Sequence, residues 1–423
     1  MAMDTPARIA VLGAGPLGLE TALYARFLGY DVDLYERGRV CANLRQWGHA
    51  RLFSPWWMNV SPLGLAALSA QEPGWRPPDD DAFLTGWELV EQYFQPLAHC
   101  DLLIDHLQEQ TEVVAVGHQR LLKSDMVDAD TRADDPFRIL LREGSGAERT
   151  ATADVIIDAT GTYGHPNWAG RGGMPCVGEI GARERIEYGL ADVLGRDRGH
   201  YAGRRVLLIG AGYSAATSVV ALAELAATSP GTQVTWITRG ESGGESSGPI
   251  ARVHGDPLDQ RDRLARAANA LAGAAEGPLT HWPGTLVDAI EWQPAAERFA
   301  VRLAGGHPGS IEVERIIANV GYRPDSRLHA ELQIHECYAS QAPMKLAAAL
   351  LGQASADCLD QRSQGPETLL NPEPDFYIIG SKSHGRGSKF LLSVGREQIR
   401  ELFTIIGDRA DLNLYASVGK RLP

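Results

Sequence analysis

The chain has 423 residues, 44% of them hydrophobic and 22% charged, and a formal net charge of −13. Such a length and balance describe a folded chain of about two or three domains, and the acidic balance speaks against nucleic acid as a partner, because a polyphosphate-binding surface needs clustered Lys and Arg to release counterions. No stretch reaches the roughly eighteen apolar residues that span a bilayer, and a buried strand starting by Arg8 leaves no room for a signal peptide, so no membrane partner and a cytoplasmic location are expected.

The first element is Arg8-Ile9-Ala10-Val11-Leu12, a short apolar run suited to a strand buried on both faces of a parallel sheet. Gly13-Ala14-Gly15-Pro16-Leu17-Gly18 follows at once, and Leu19, Ala22, Leu23 and Phe27 then recur at helical spacing up to a C-cap at Gly29. A second strand, Asp31 to Glu36, ends in an acid. In a G-x-G-x-x-G turn the first glycine permits the tight bend, the second lets backbone approach a pyrophosphate and the third lets helix and strand pack closely. The helix N-terminus offers unpaired N–H groups to the phosphates, and Glu36 suits a ribose diol. A glycine-rich turn without a ligand is the bland alternative, which the strand, helix and acid around it disfavour.

Five of the nine tryptophans (Trp47, Trp56, Trp57, Trp75, Trp87) fall in the next segment, with Asn43, His49, Arg51 and Phe53. Two readings stand: aromatic faces that stack a planar substrate or shield a cofactor ring, or an ordinary core excursion. His49 is not read as a base. Asp125, Asp128, Asp130, Asp134 and Asp135 read as a solvated surface loop without chemistry. Phe137 to Leu141, a turn around Gly144 to Gly146, and Val155 to Ala159 running into Thr160-Gly161 describe an antiparallel excursion that returns to the first sheet.

A second glycine loop follows Val206-Leu207-Leu208-Ile209. It reads Gly210-Ala211-Gly212-Tyr213-Ser214-Ala215, with alanine in the third glycine position, and Ala216, Val219, Val220 and Ala223 form the packing face of its helix. The next strand, Gln233 to Ile237, ends in Thr238-Arg239 rather than in an acid. A guanidinium there can bond a 2′-phosphate bidentately, so this site leans toward NADPH over NADH, the alternative being a solvated loop cation. Strands at Leu286–Trp292, Phe299–Leu303 and Ile311–Val320 close this part. Asp375 to Ile379, a basic loop from Ser381 to Lys389 and a helix from about Ser393 to Ile406 end the pattern. The loop is read either as a charge source beside a cofactor or anionic substrate, or as a solvated flexible segment. The five cysteines (Cys41, Cys100, Cys176, Cys337, Cys358) form no C-x-x-C pair and read as reduced structural thiols; no metal site is indicated.

Ala159-Thr160-Gly161, Asn319-Val320-Gly321-Tyr322-Arg323-Pro324 and Phe376-Tyr377-Ile378-Ile379-Gly380, with both glycine loops, resemble the flavoproteins that carry two dinucleotide-binding domains, among them flavin-containing monooxygenases, thioredoxin reductases and bacillithiol disulfide reductase-like proteins. The resemblance covers nearly the whole chain. It implies an α/β fold of two Rossmann-like, doubly wound domains, with the NAD(P)H domain (166–325) inserted into an FAD domain (1–165 and 326–423). The FAD contacts it implies are Gly13, Gly15, Pro16, Gly18, Glu36 and Arg37, then His49, Thr160, Gly161, Gly380 and Ser381. Gly210, Gly212, Tyr213, Ser214, Ala215 and Arg239 would hold NADPH.

Three departures bear on the reaction. The missing C-x-x-C pair excludes an internal dithiol relay, the stretch around Gly178 to Gly189 lacks the F-x-G-x-x-x-H-type signature of the flavin-containing monooxygenases, and Ser381 stands where an acid usually bonds the ribityl chain. The expected function is an FAD-dependent oxidoreductase reduced by NAD(P)H, a monooxygenase acting on a small organic substrate through a flavin hydroperoxide. The alternatives are an NADPH-dependent reductase of a disulfide, quinone or similar acceptor, and a nucleotide-binding redox sensor. No catalytic acid or base is identified, and a homodimer is left open.

Overall fold

Apolar side chains on both faces of Ile9 to Leu12 require cover on both sides, and the fold supplies it. The structure is a computed structural model that describes residues 7–71, 74–240, 248–352, 359 and 361–418; Cys358 lies outside them. The chain divides into two compact units, the first made of residues 1–45, 55–165 and 323–423 and the second of 46–54 and 166–322.

In the first unit β1 (Arg8–Leu12), β2 (Asp31–Tyr35), β3 (Leu107–Gln108), β7 (Val155–Asp158) and β15 (Phe376–Ile378) form a parallel sheet in the order β15-β7-β1-β2-β3. The helix Pro16–Phe27 crosses from β1 to β2, and Gly29 (φ +90°) turns the chain into β2. Between β3 and β7 the chain makes a three-stranded antiparallel sheet of β4 (Thr111–His118), β5 (Phe137–Glu143) and β6 (Glu148–Ala153). Its apolar face (Val116, Phe137, Ile139, Leu141) packs on Ala10, Leu12, Ile156, Phe376 and Ile378, so β5 alternates buried and more exposed positions from Phe137 to Leu141 while Ile9–Leu12 and Val155–Ile157 run apolar without a break. The helix Leu392–Ile406 closes the return, and Gly395 lets it approach Leu17, whose Cδ1 would lie 2.3 Å from any added Cβ.

The second unit repeats the plan. Here β8 (Arg205–Ile209), β9 (Gln233–Ile237), β10 (Leu279–Trp282) and β14 (Arg315–Ala318) form a parallel sheet ordered β10-β9-β8-β14. The helices Tyr213–Thr228 and Asp259–Ala272 contribute to the core on one face. An antiparallel sheet of β11 (Thr285–Gln293), β12 (Arg298–Gly305) and β13 (Gly309–Val313) covers the other. No helix among the described residues is long and apolar enough to cross a membrane.

Two sequence expectations are corrected, and the tryptophan segment gains detail. Ile311–Val320 is not one strand: the chain leaves one sheet after Val313 and enters another at Arg315, and the break is held by Glu314, whose carboxylate accepts from Arg205 N at 2.7 Å and from the Arg205 guanidinium at 2.8 Å. Asp135 is not a solvated acid, whereas Asp128 is exposed. Asp128 caps the short helix Ala129–Ala133, and Asp135, 1% exposed, accepts from Arg120 N, Arg120 Nε and Leu121 N. The tryptophans differ in their surroundings: Trp56 is core, edge-on to Tyr93, Trp57 is 55% exposed, and Trp47 falls in the second unit.

Candidate functional site

Both glycine loops sit at the carboxyl ends of parallel strands, where a strand hands over to a helix N-terminus. In the first, Gly13 adopts φ +93° and its N–H donates to Tyr35 O at 2.7 Å. A Cβ at Gly18 would stand 1.7 Å from Gly13 O, so only glycine lets helix and loop touch. Gly15 differs: its backbone is extended (φ −76°, ψ −177°) and nothing lies within 4 Å of its Cβ direction. Pro16 opens the helix, its missing N–H costing nothing at that position. Glu36 accepts from Ala14 N at 2.9 Å and Gly38 N at 2.8 Å, which holds its carboxylate at the loop with lone pairs to spare. Arg37 is exposed, its guanidinium close to Gly164.

The other first-unit residues converge on the same strand ends. Ala159 O and Thr160 Cα both lie 3.1 Å from the Cβ direction of Gly13, and Ser381 Oγ lies 3.4 Å from that of Gly161. Beneath them is a buried ion pair that sequence reasoning missed. Lys382, 2% exposed, donates to Asp158 Oδ2 at 2.6 Å, and Asp158 Oδ1 accepts from Thr160 Oγ1 at 2.6 Å and Thr160 N at 3.0 Å. Burial alone would raise the Asp158 carboxyl; the ammonium of Lys382 overrides it and holds it below the ordinary carboxylate value. His329 Nδ1 lies 3.9 Å from Asp158 without a hydrogen bond, while its Nε2 is 3.2 Å from Glu336. The one sequence signal for this network is the acid ending Val155-Ile156-Ile157-Asp158.

Lys382 is therefore not a mobile loop cation available to a substrate. Residues Gly380–His384 form a 3-10 turn with Lys382, Ser383 and His384 buried, and only 386–389 are exposed. Gly380 N donates to Gln398 Oε1 at 3.0 Å, tying the turn to the closing helix. His384 sits at its end with its pKa pushed down to about 4 by burial.

His49 falls with residues 46–54 in the second unit, where burial lowers its pKa and Asp192, Arg196 and Asp197 bear on its charge.

In the second loop Gly210 (φ +138°) donates to Ile237 O at 3.2 Å, and its carbonyl accepts from Trp236 Nε1 at 2.8 Å. A Cβ there would meet Asn319 O at 2.3 Å, whereas Gly212, extended at φ −93°, again has nothing within 4 Å. Ala215 is fully buried and Ser214 exposed at the first turn of the helix. Tyr213 donates to Ala251 O at 3.2 Å and stacks edge-on with Phe53. Asn319 ties the loop's surroundings together, accepting from Ser218 Oγ at 2.7 Å and donating to Gly189 O at 2.7 Å. Arg239 is exposed just past the end of β9.

A dinucleotide fits both loops. In each, the glycine beside the backbone is filled by a neighbouring carbonyl, and the glycine that caps the helix opens onto free space ringed by helix N-terminal N–H groups. Gly13, Gly15, Pro16, Gly18 and Glu36, with Thr160, Gly161, Gly380 and Ser381, would hold FAD. Gly210, Gly212, Ser214, Ala215 and Arg239 would hold the pyridine nucleotide.

Solved structures of similar fold include a bacillithiol disulfide reductase from Bacillus cereus (TM-score 0.66, 16% identity, covering 95% of this chain and 99% of that one). A cadaverine monooxygenase of desferrioxamine biosynthesis from Erwinia amylovora, bound to FAD, aligns at TM-score 0.62 and 15% identity over 99% of this chain and 98% of that one. A thioredoxin reductase from T. acidophilum aligns at TM-score 0.55 and 15% identity over 94% and 97%. No curated protein matches the chain. The family model described as pyridine nucleotide-disulphide oxidoreductase matches residues 7–252, more than half of the sequence, so the chain belongs to that family and is a flavin-dependent pyridine nucleotide oxidoreductase.

Proposed function

We propose that the protein is an NADPH-dependent flavin monooxygenase acting on a small organic substrate. The observation that carries this reading is the state of the thiol beside the FAD loop. Cys41, whose N–H bonds Ala14 O at 3.0 Å, is 2% exposed, and burial pushes its thiol far above the ordinary value, so it is no nucleophile for disulfide exchange. With no C-x-x-C pair in the sequence, electrons have no dithiol to pass through.

FAD, when bound, supplies the two-electron chemistry: reducing equivalents from NADPH and a proton go to dioxygen, one oxygen atom ending in the substrate and the other in water. The chain's own residues do the holding. Helix N–H groups around Gly15 and Gly212 bind phosphates, Glu36 accepts from the ribose, Arg239 selects the 2′-phosphate, and the Asp158–Lys382 pair fixes the Thr160-Gly161 turn.

A reductase reading has one observation in its favour. The Cys337 thiol is lowered by hydrogen bonding to Ser340, whose carbonyl accepts from Arg386 N just beyond the 380–384 turn. Anaerobic reduction of the purified holoenzyme by NADPH and by NADH, followed by oxygen, disulfides or quinones, separates the possibilities. Reoxidation by oxygen that forms water and an oxygenated product supports the monooxygenase. Reoxidation only by disulfides or quinones overturns it in favour of the reductase, and absence of reduction favours a redox sensor.

A further inference from the structure

The carboxyl end of β9 carries more than Arg239. Thr238 is 2% exposed, and its hydroxyl shares a hydrogen bond of 2.9 Å with Nε2 of His281 on the adjacent strand β10. The next residue of β10, Trp282, stacks on His307 (centroids 5.0 Å apart, planes at 9°), and His307 Nδ1 lies 3.3 Å from Thr285 Oγ1. Backbone bonds tie these segments together: Thr238 N to Trp282 O, Gly284 N to Gly240 O and Thr285 N to Thr238 O. One imidazole, His281, is thus fixed on Thr238, the residue after which Arg239 emerges, and a second, His307, on the adjoining Trp282 and Thr285, all within the second unit.

We propose that His281 and His307 join Arg239 in recognising the 2′-phosphate of NADPH and take up protons from solvent as that phosphate binds. This rests on the NADPH reading of the site. Burial, and next the neighbouring His307, lower the pKa of His281, so it is largely neutral near pH 7 before a ligand arrives. A dianionic phosphate raises the pKa of imidazoles beside it, so binding draws protons onto them. The NADPH preference is then strongest at low pH and fades as pH rises through the pKa values of the bound state. Besides burial, the titratable group that bears on His281 is His307; NADH, lacking the phosphate, leaves both histidines as they are.

NADP⁺ and NAD⁺ bind without turnover, so titration calorimetry of the oxidised holoenzyme in two buffers of different ionisation enthalpy reads the protons taken up. Wild type takes up protons with NADP⁺ and not with NAD⁺. His281→Gln and His307→Gln each reduce that uptake and weaken NADP⁺ roughly two- to fivefold at pH 6.5, the range of exposed ion pairs, with NAD⁺ unaffected. The phosphate's own proton, titrating near pH 6, is common to all variants and cancels. His307 is exposed, so His307→Gln tests the idea even if His281→Gln fails to fold. If Arg239→Ala loses the NADP⁺ preference while the double histidine variant keeps wild-type affinity and proton uptake, the histidine proposal is overturned and the NADPH reading stands. If wild type binds NAD⁺ as tightly as NADP⁺, both fall.

Discussion

Replacing Gly15 by alanine separates the fold of the first loop from its ligand. At φ −76° and ψ −177°, with nothing within 4 Å of the Cβ direction, the methyl group neither strains the backbone nor meets an atom. Alanine at a helix N-cap costs about 0.5–1 kcal/mol relative to glycine, and reduced freedom of the unfolded chain offsets about 0.4–1 kcal/mol. The apoprotein should therefore keep its stability to within about 0.5 kcal/mol. The methyl occupies the space through which a pyrophosphate approaches the helix N–H groups. Loss of roughly two charge-assisted hydrogen bonds, each worth about 1.5–3 kcal/mol, weakens FAD by about 10²- to 10⁴-fold. Gly18→Ala is the contrast: its Cβ would lie 1.7 Å from Gly13 O, a backbone atom, so the loop must move at a cost of about 3 kcal/mol or more. Urea denaturation of the apoproteins and FAD titration followed by flavin fluorescence measure both quantities. Gly15→Ala binding FAD at wild-type affinity, or unfolding as readily as Gly18→Ala, would refute the assignment of the open position to phosphate.

Three further outcomes follow from the buried groups. Lys382→Met leaves the Asp158 carboxylate without its cation and should cost about 3–5 kcal/mol by urea denaturation, most of it recovered when Asp158→Asn is added. His384, whose folded pKa is about 4 against an ordinary 6.5, stays neutral where the unfolded chain takes up a proton, so stability falls by roughly 3 kcal/mol as pH drops from 6.5 to 4. His384→Gln should flatten that limb of the melting-temperature profile. Trp236→Phe removes the indole donor to Gly210 O and should cost about 1–2 kcal/mol while weakening NADP⁺ in equilibrium titration.

The elements around both loops were legible because two constraints coincide in them. Apolar runs buried on both faces read as strands, and glycines at fixed spacing read as turns; β1 and β9 begin and end where the pattern places them. The closing helix starts at Leu392, one residue before its expected start. Less legible was whatever depends on contacts between distant segments. A lysine in a glycine-rich basic stretch reads either as a charge beside a cofactor or anionic substrate or as solvated, and only the fold brings Lys382 to Asp158, 224 residues away. Residues 46–54 follow the FAD strand in sequence yet cluster with the second unit, whose other segment is 166–322. His281 carries no motif; its relevance comes from the pairing of β10 with β9.

The strand order has a consequence for how the polypeptide matures on the ribosome. β15 completes its sheet by pairing with β7, yet it is synthesised only after every strand from β8 to β14 has emerged. The inserted unit has all its strands in hand while its host still lacks one edge, with the backbone of β7 open along the side that Phe376–Ile378 later occupies. A nascent chain paused at that stage exposes an apolar sheet margin that invites wrong pairing, and arrival of the last strand both seals that margin and brings Lys382 to the carboxylate waiting beneath Thr160.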